Sequence, residues 1–226
     1  VSLRAELLRV ATGHLHQVGP GALSMRAIAR DLGVSVGALY RHVADRDALL
    51  TELIIAAYTS LGDAAERGSG SGSPLAKWRG CWKAVRTWAN AHPHEFDLIY
   101  GTPVIGYRAP AETVSAASRL PRRILEIAAL SPSPPRAPTM HPKALLESFS
   151  QVRDWYRGGD TTAQEELTDA QIWHCLRAWT ECIGALGFAL HGHYVGSLDD
   201  DAPYYETIVD AHARALGLIE HSGDVG

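Results

Sequence analysis

The chain has 226 residues, 46% of them hydrophobic and 20% charged, and a formal net charge of -4. That composition excludes a disordered chain, and the length allows a small module beside a larger core. Cys81, Cys175 and Cys182 show no CxxC or Cys/His ligand spacing, so they read as reduced thiols and not as a disulfide framework or a zinc site.

In chain order, residues 3–18 set Leu3, Leu7, Leu8, Ala11, Leu15 and Val18 at helical spacing. The "GPG" at 19–21 stops that helix. Ser24 is placed to cap a second helix over 25–31, with Ile28 and Leu32 facing a core. Gly33 breaks it, and Ser35 can cap a third helix reaching about Val43. Asp45 can cap a fourth, running to about residue 66. The stretch "RGSGSGSP" (67–74) reads as a flexible connection. An amphipathic helix over 75–91 carries Trp78, Trp82, Val85 and Trp88, and a short one over 92–100 has Pro93 near its start. Residues 101–110 hold glycines and prolines that resist regular structure. Further helices are expected over 111–130, 141–157, 162–190 and 202–217, with the proline-stiffened "SPSPPRAP" (131–138) between the first two.

Alternating strand patterns are nearly absent, so the expected fold class is all-α. No uninterrupted apolar run reaches the ~18 residues of a membrane span, and the first residues do not read as a signal peptide. The expected location is the cytoplasm, without a membrane partner. Residues 1–47 carry six arginines and four acids, whereas residues 68–226 carry 14 basic and 18 acidic residues. That N-terminal basic excess is too small to identify a nucleic-acid binder alone.

The stretch "LGVSVGALYRHV" (32–43) concentrates the functional signal. Two helices crossing at a short turn often need a residue with positive φ, which Gly33 supplies. Val34 plugs the angle between them. Gly37 and Ala38 keep one face of the third helix thin, so its backbone can approach the major groove closely. Leu39 and Val43 point back to the core, and Tyr40, Arg41 and His42 offer donors suited to phosphate oxygens. A plainer reading stands beside this one: Gly33 only ends a helix, and Tyr40 is a core aromatic with a satisfied hydroxyl.

The run "ALSMRAIARDLGVSVGALYRHVADRDALLTELI" (22–54) closely resembles the DNA-binding domain of the TetR family of transcriptional regulators. Members are α-helical homodimers with an N-terminal helix-turn-helix and a larger ligand-binding, dimerising domain. The resemblance implies a three-helix DNA-binding domain over 1–47 and an effector-binding and dimerisation domain over 48–226. It also implies a repressor that leaves a double-stranded, palindromic DNA operator when a small molecule binds. By position, Ser24 and Arg26 begin the helix that meets the DNA backbone. Ser35, Val36, Gly37 and Ala38 lie where the recognition helix enters the major groove. Tyr40 and His42 resemble a phosphate-contacting pair, and Arg46 stands where a basic residue reaches DNA from the fourth helix. Some members carry long polar side chains where this chain has Val36 and Ala38, which suit thymine methyls instead. Polar readout would then rest on Arg26, Ser35 and Arg41. The run "AWTECIGALGFALHGHY" (178–194) is similar to the late helix of a subgroup with a Trp-His-Gly signature, with Leu190 in place of the Trp.

In the larger part, Ala178, Gly184, Ala185, Gly187 and Ala189 permit close helix contact. The helices over 162–190 and 202–217 are expected to build a homodimer as a four-helix bundle, although packing within one chain explains the same small residues. Two recognition helices ~34–36 Å apart, or a multiple of that, can read a palindrome. Trp78, Trp82, Trp88, Phe96, Tyr100 and Tyr107 crowd the central segment. They read either as a pocket for a small apolar or aromatic effector or as ordinary core. Trp179, Cys182 and Phe188 would close such a pocket. No cofactor, metal or catalytic residue is expected: Glu95 and Asp97, like His191 and His193, are two apart and do not face each other on a helix. No nucleophile elbow or phosphate loop is present. The alternatives are an activator of the same fold, a helical enzyme, or an interaction protein without specific DNA binding.

Overall fold

A computed structural model describes residues 3–135, 142–158 and 167–219. These form eleven α-helices: α1 (Leu3–Val18), α2 (Met25–Asp31), α3 (Val36–Leu39), α4 (Arg46–Ser69), α5 (Pro74–Ala91), α6 (Pro93–Tyr100), α7 (Thr113–Ala117), α8 (Arg119–Ala129), α9 (Lys143–Arg157), α10 (Asp169–Leu190) and α11 (Ala202–Ala215). Among the described residues there is no β-strand, as the lack of alternating patterns predicts.

Four expected helices differ from those observed, α4 among them: it runs on through Arg67 and Gly68 to Ser69, into the stretch 67–74 expected as a flexible connection. The helix over 111–130 is two helices, and Pro121 accounts for the break. Its ring lacks an N–H and would clash with the carbonyl four residues back, at Ala117, where α7 ends. The helix expected from 162 starts at Asp169, because Thr168 caps it. Thr168 Oγ1 accepts from the Gln171 amide at 3.2 Å, and Gln171 Oε1 accepts from the Thr168 amide at 2.8 Å. Residues 136–141 and 159–166, which the expected 131–138 linker and the starts of the last helices partly occupy, lie outside the described residues. The third helix keeps α-geometry only over Val36–Leu39 and then tightens: the amides of Arg41 and His42 donate to the carbonyls of Ala38 and Leu39 at 3.3 and 2.8 Å.

The chain divides into two compact units, one from residues up to Gly62 with Trp88–Arg119, the other from Asp63–Thr87 with residues from Leu120 on. In the first, Leu7, Ala11, Ile28, Leu39, Leu49 and Leu50 are buried in one apolar cluster. Leu98, Val104 and Tyr107 pack against it from α6 and the following loop. Tyr107 is held there by a 2.8 Å hydrogen bond between its hydroxyl and that of Thr51. His14 joins α1 to the end of α2, its Nε2 lying 2.7 Å from Asp31 Oδ2.

In the second unit, Trp78, Trp82, Phe149, Ile172, Cys175 and Cys182 are among the buried residues, and α10 makes its widest contact with α11. Gly68 of α4 meets Gly80 of α5 backbone to backbone: a Cβ on Gly80 would lie 2.2 Å from the Gly68 carbonyl oxygen. By length and composition α4 resembles a membrane span, which the count of uninterrupted apolar residues missed because Glu52 and Asp63 interrupt the run. Half of its most apolar stretch is buried inside the protein, the mark of a core helix.

Candidate nucleic-acid interface and ligand pocket

The turn between α2 and α3 is built by hydrogen bonds that only a left-handed residue allows. Gly33 has φ 67°, its amide donates to Arg30 O, and the Val34 amide donates to Ala29 O, each at 3.0 Å. This double closure ends α2 and leaves Val34 leaning on the core of the first unit. Ser24 Oγ accepts from the Ala27 amide at 3.4 Å and Ser35 Oγ from the Ala38 amide at 3.1 Å. Both serines therefore serve as N-caps, and Ser35 opens α3 with its side chain at the exposed end.

Around this frame the ten residues singled out in the sequence separate. Arg26, Ser35, Gly37, Tyr40, Arg41 and His42 are exposed, Tyr40 to 49%. Tyr40 is thus no core aromatic. Ser24 and Val36 are half-buried, and Val36 packs partly against the apolar cluster. Ala38 is buried, because it shares the inner face of the short helix with Leu39. Arg46 is committed elsewhere. Its guanidinium donates to the carbonyls of Pro20, Gly21 and Leu23 at 2.9 to 3.0 Å, clamping the segment before α2 to the start of α4. Pro20–Ala22 is a single 3-10 turn without a side-chain cap, and the arginine adds contacts to carbonyl acceptors that hold it in place. Arg30 is also exposed on α2, with its Nε 3.5 Å from Asp31 Oδ1.

The aromatic residues of the central segment also separate. Trp78 and Trp82 are wholly buried in the second unit, in edge-to-face contact at 5.7 Å, and Trp78 Nε1 donates to Val209 O at 2.9 Å. Trp88, Phe96, Tyr100 and Tyr107 belong to the first unit. There Trp88 Nε1 donates to Ser60 Oγ at 2.9 Å, and the Phe96 and Tyr100 rings lie 5.3 Å apart. Cys182 is buried beside Tyr205, and burial raises its thiol pKa. Burial pushes the Cys81 thiol up to about 12. Neither is poised as a thiolate.

Trp179 is different. It lines an apolar pocket of about 140 Å³ between α8, α9 and α10, with Ile124, Leu125, Val152, Trp155 and Leu176. Its Nε1 is buried without a hydrogen-bond partner. Composition hid this pocket, since apolar stripes on α8, α9 and α10 look like ordinary core and only the half-open Trp155 betrays it. A larger groove of about 470 Å³ runs between α5 and α11. Its arginines are already matched, Arg79 to Asp210 at 2.7 and 2.8 Å and Arg86 to Asp201 at 3.1 and 3.2 Å. Among the described residues no three His, Cys, Asp or Glu side chains are arranged to hold a metal ion.

The Leu190-His191-Gly192 stretch also has a local explanation. Gly192 takes φ 72°, and the His193 amide donates to Phe188 O at 2.9 Å, so the His-Gly pair terminates α10.

Residues 7–53 match the family model described as bacterial regulatory proteins, tetR family, and residues 78–212 match that of the tetracyclin repressor-like C-terminal domain. An HTH-type transcriptional regulator of Mycobacterium tuberculosis is 30% identical, the match covering 97% of this chain and 93% of the relative. A solved regulatory protein, SCO4313, is 31% identical with a TM-score of 0.76, covering 93% of this chain and 94% of that one. Mycobacterium smegmatis AmtR, at 18% identity and a TM-score of 0.53 over 96% of this chain and 87% of its own, shares the fold.

Proposed function

The chain belongs to the TetR family of helix-turn-helix transcriptional regulators, and from that premise we propose that it is a repressor, released from a palindromic operator by a small apolar or aromatic ligand. It is a DNA-binding regulator and not an enzyme. The functional division we propose assigns DNA binding to residues 1–47 and effector binding and dimerisation to residues 48–226, in the cytoplasm.

One observation carries the DNA-binding part of the reading. The segment that opens with the Ser35 cap has Ser35, Gly37, Tyr40, Arg41 and His42 outward while Leu39 and Val43 are buried. In this reading Ser35 and the bare backbone at Gly37 approach base edges, with the edge of Val36 beside them. Tyr40 and His42 hold phosphates, and Arg26 and Arg41 serve either role. Ala38 and Arg46 support this surface from behind, the first by packing and the second through its three carbonyl contacts. Ser24 acts chiefly as a cap.

Release requires a ligand that binds the DNA-free arrangement more tightly than the DNA-bound one; total affinity is irrelevant. The helix that carries this difference is α4, which contributes residues to both units. Of the aromatic candidates, Trp179 suits a ligand contact, whereas Trp78, Trp82, Trp88, Phe96, Tyr100, Tyr107 and Cys182 suit packing.

Selection of bound DNA from a random duplex library tests the reading. The enriched sites should be inverted repeats with half-sites about one duplex turn, or a multiple, apart. No enrichment at low salt would remove the repressor assignment.

A further inference from the structure

Helices α5 and α11 run antiparallel, and four contacts fix their register. Trp78 Nε1 donates to Val209 O at 2.9 Å, and Tyr205 Oη donates to Trp82 O at 3.4 Å. Arg79 grips Asp210 through two bonds of 2.7 and 2.8 Å, and Arg86 grips Asp201 through two of 3.1 and 3.2 Å. These ion pairs close the two ends of one row. Between them stand Lys83, four residues on from Arg79, and Glu206, four residues before Asp210. Each follows directly on a member of the Trp82–Tyr205 bond, so the register sets Lys83 opposite Glu206. Both are exposed, and both line the groove of about 470 Å³ that parts the helices there. Among the described residues neither charged group has an ion-pair or hydrogen-bond partner. The row therefore consists of two satisfied ion pairs and, between them, one cation and one anion that do not meet.

We propose that this groove binds a small zwitterion of the amino-acid class, with its carboxylate on Lys83 and its ammonium on Glu206. Its apolar body rests on the floor that Tyr205 and Val209 form between the helices. Simple ions fit poorly: an anion drawn to Lys83 meets Glu206, and a cation drawn to Glu206 meets Lys83. With Asp201 counted, three cations and three carboxylates balance, so the groove favours neither sign. An uncharged molecule would strip water from both free charges and offer no partner in return. The site is separate from the apolar pocket of Trp179, since no residue lines both. Arg79 immediately precedes Gly80, which meets Gly68 of α4 backbone to backbone. On the repressor reading above, a ligand tying α5 to α11 bears on α4 through that contact.

Three probes that share one body test the site. L-Phenylalanine carries both charges, phenylpropionate only the carboxylate and phenethylamine only the ammonium. Calorimetric titration of the full-length protein at neutral pH should show phenylalanine binding at least ~10-fold tighter than either, the scale of one charged hydrogen bond. Lys83→Met keeps the stem and removes the cation, so phenylalanine should lose its lead over phenethylamine and keep its lead over phenylpropionate. Glu206→Gln should do the reverse. Residues that only shape the groove cannot produce this crossed pattern. Both side chains are exposed, so both variants should melt and sediment as wild type does. If wild type does not bind phenylalanine or does not prefer it, or the variants weaken all three probes alike, the site is wrong, whether or not the protein holds its operator. A changed oligomeric state in either variant would assign the two charges to a subunit contact, and would also overturn it. Crossed binding that leaves operator affinity unchanged would uphold the site and remove its link to α4.

Discussion

His212 shows what burial does to one residue. It is 4% exposed on α11, and its Nε2 lies 2.8 Å from Glu181 Oε2 of α10. Burial lowers its pKa from the ordinary 6.5, and the Glu181 contact opposes this only in part. The folded protein thus prefers the neutral ring, while the unfolded chain takes up the proton freely below about pH 6.5. The resulting stability is present above that value and is lost as pH falls through the lower folded value. His174, whose pKa burial also lowers, acts in the same sense. The melting temperature is therefore expected to drop between about pH 7 and pH 5. His212→Gln should make that slope shallower, and His212→Gln with His174→Gln shallower still. Circular-dichroism melts across this range provide the check, and an unchanged slope in the double variant would refute the assignment.

Among the elements, the α4–α5 crossing depends on two glycines. A Cβ on Gly80 would approach the Gly68 carbonyl oxygen to 2.2 Å, and one on Gly68 would meet Gly80 O at 2.5 Å and Ala84 Cβ at 2.4 Å. The obstacles are mainly backbone, so no rotamer change relieves them. Gly80→Ala gains up to ~1 kcal/mol of helix propensity but must push the helices apart, an overpacking cost of about 1–3 kcal/mol or more. It is expected to lower stability in urea unfolding. Gly13→Ala on α1, where an added Cβ meets nothing within 4 Å, should raise it slightly. Equal effects would show that the crossing carries no strain. This contact marks the limit of what the sequence discloses. Caps are local, so Ser24, Ser35 and Asp45 were readable, with Asp45 Oδ1 accepting from the Ala48 amide at 2.7 Å. The positive φ of Gly33 was readable for the same reason. The Gly68–Gly80 approach, the Arg46 clamp and the division of the aromatic residues between units depend on partners distant in the chain or on three-dimensional packing. Periodicity identified Trp78 and Trp82 as one helical face but carried no information on what covers it. The Pro121 break was legible in principle, since proline expels the carbonyl four residues earlier.

For the whole molecule, the decisive question is how one short recognition segment can hold DNA with useful specificity. A single helix-turn-helix contacts only a few base pairs, whereas two joined heads make the second contact intramolecular, raising affinity ~10²–10⁴-fold. In the proposed reading, dimerisation is therefore as much a part of recognition as the contacts proposed for Arg26 and Tyr40. The proposed interface uses the exposed i, i+4 row Leu176, Thr180, Gly184 and Phe188 of α10 together with α11, where Tyr204 is 44% exposed. An isologous interface presents the same patch on both copies, so one substitution alters it twice. Phe188 is 55% exposed, and its ring lies against those of His193 and Tyr194 nearby in the chain, at 5.0 and 5.9 Å. Phe188→Glu should thus leave the fold and its melting temperature nearly intact. Two like charges placed face to face across the axis should drive the protein to the 24.4 kDa monomer in sedimentation. Operator affinity should then fall at least ~100-fold, while residual binding to a half-site and to the full palindrome becomes equal. Dimeric behaviour in this variant would move the interface to another face. A monomer that still held the palindrome at full strength would mean that the heads do not act as a pair.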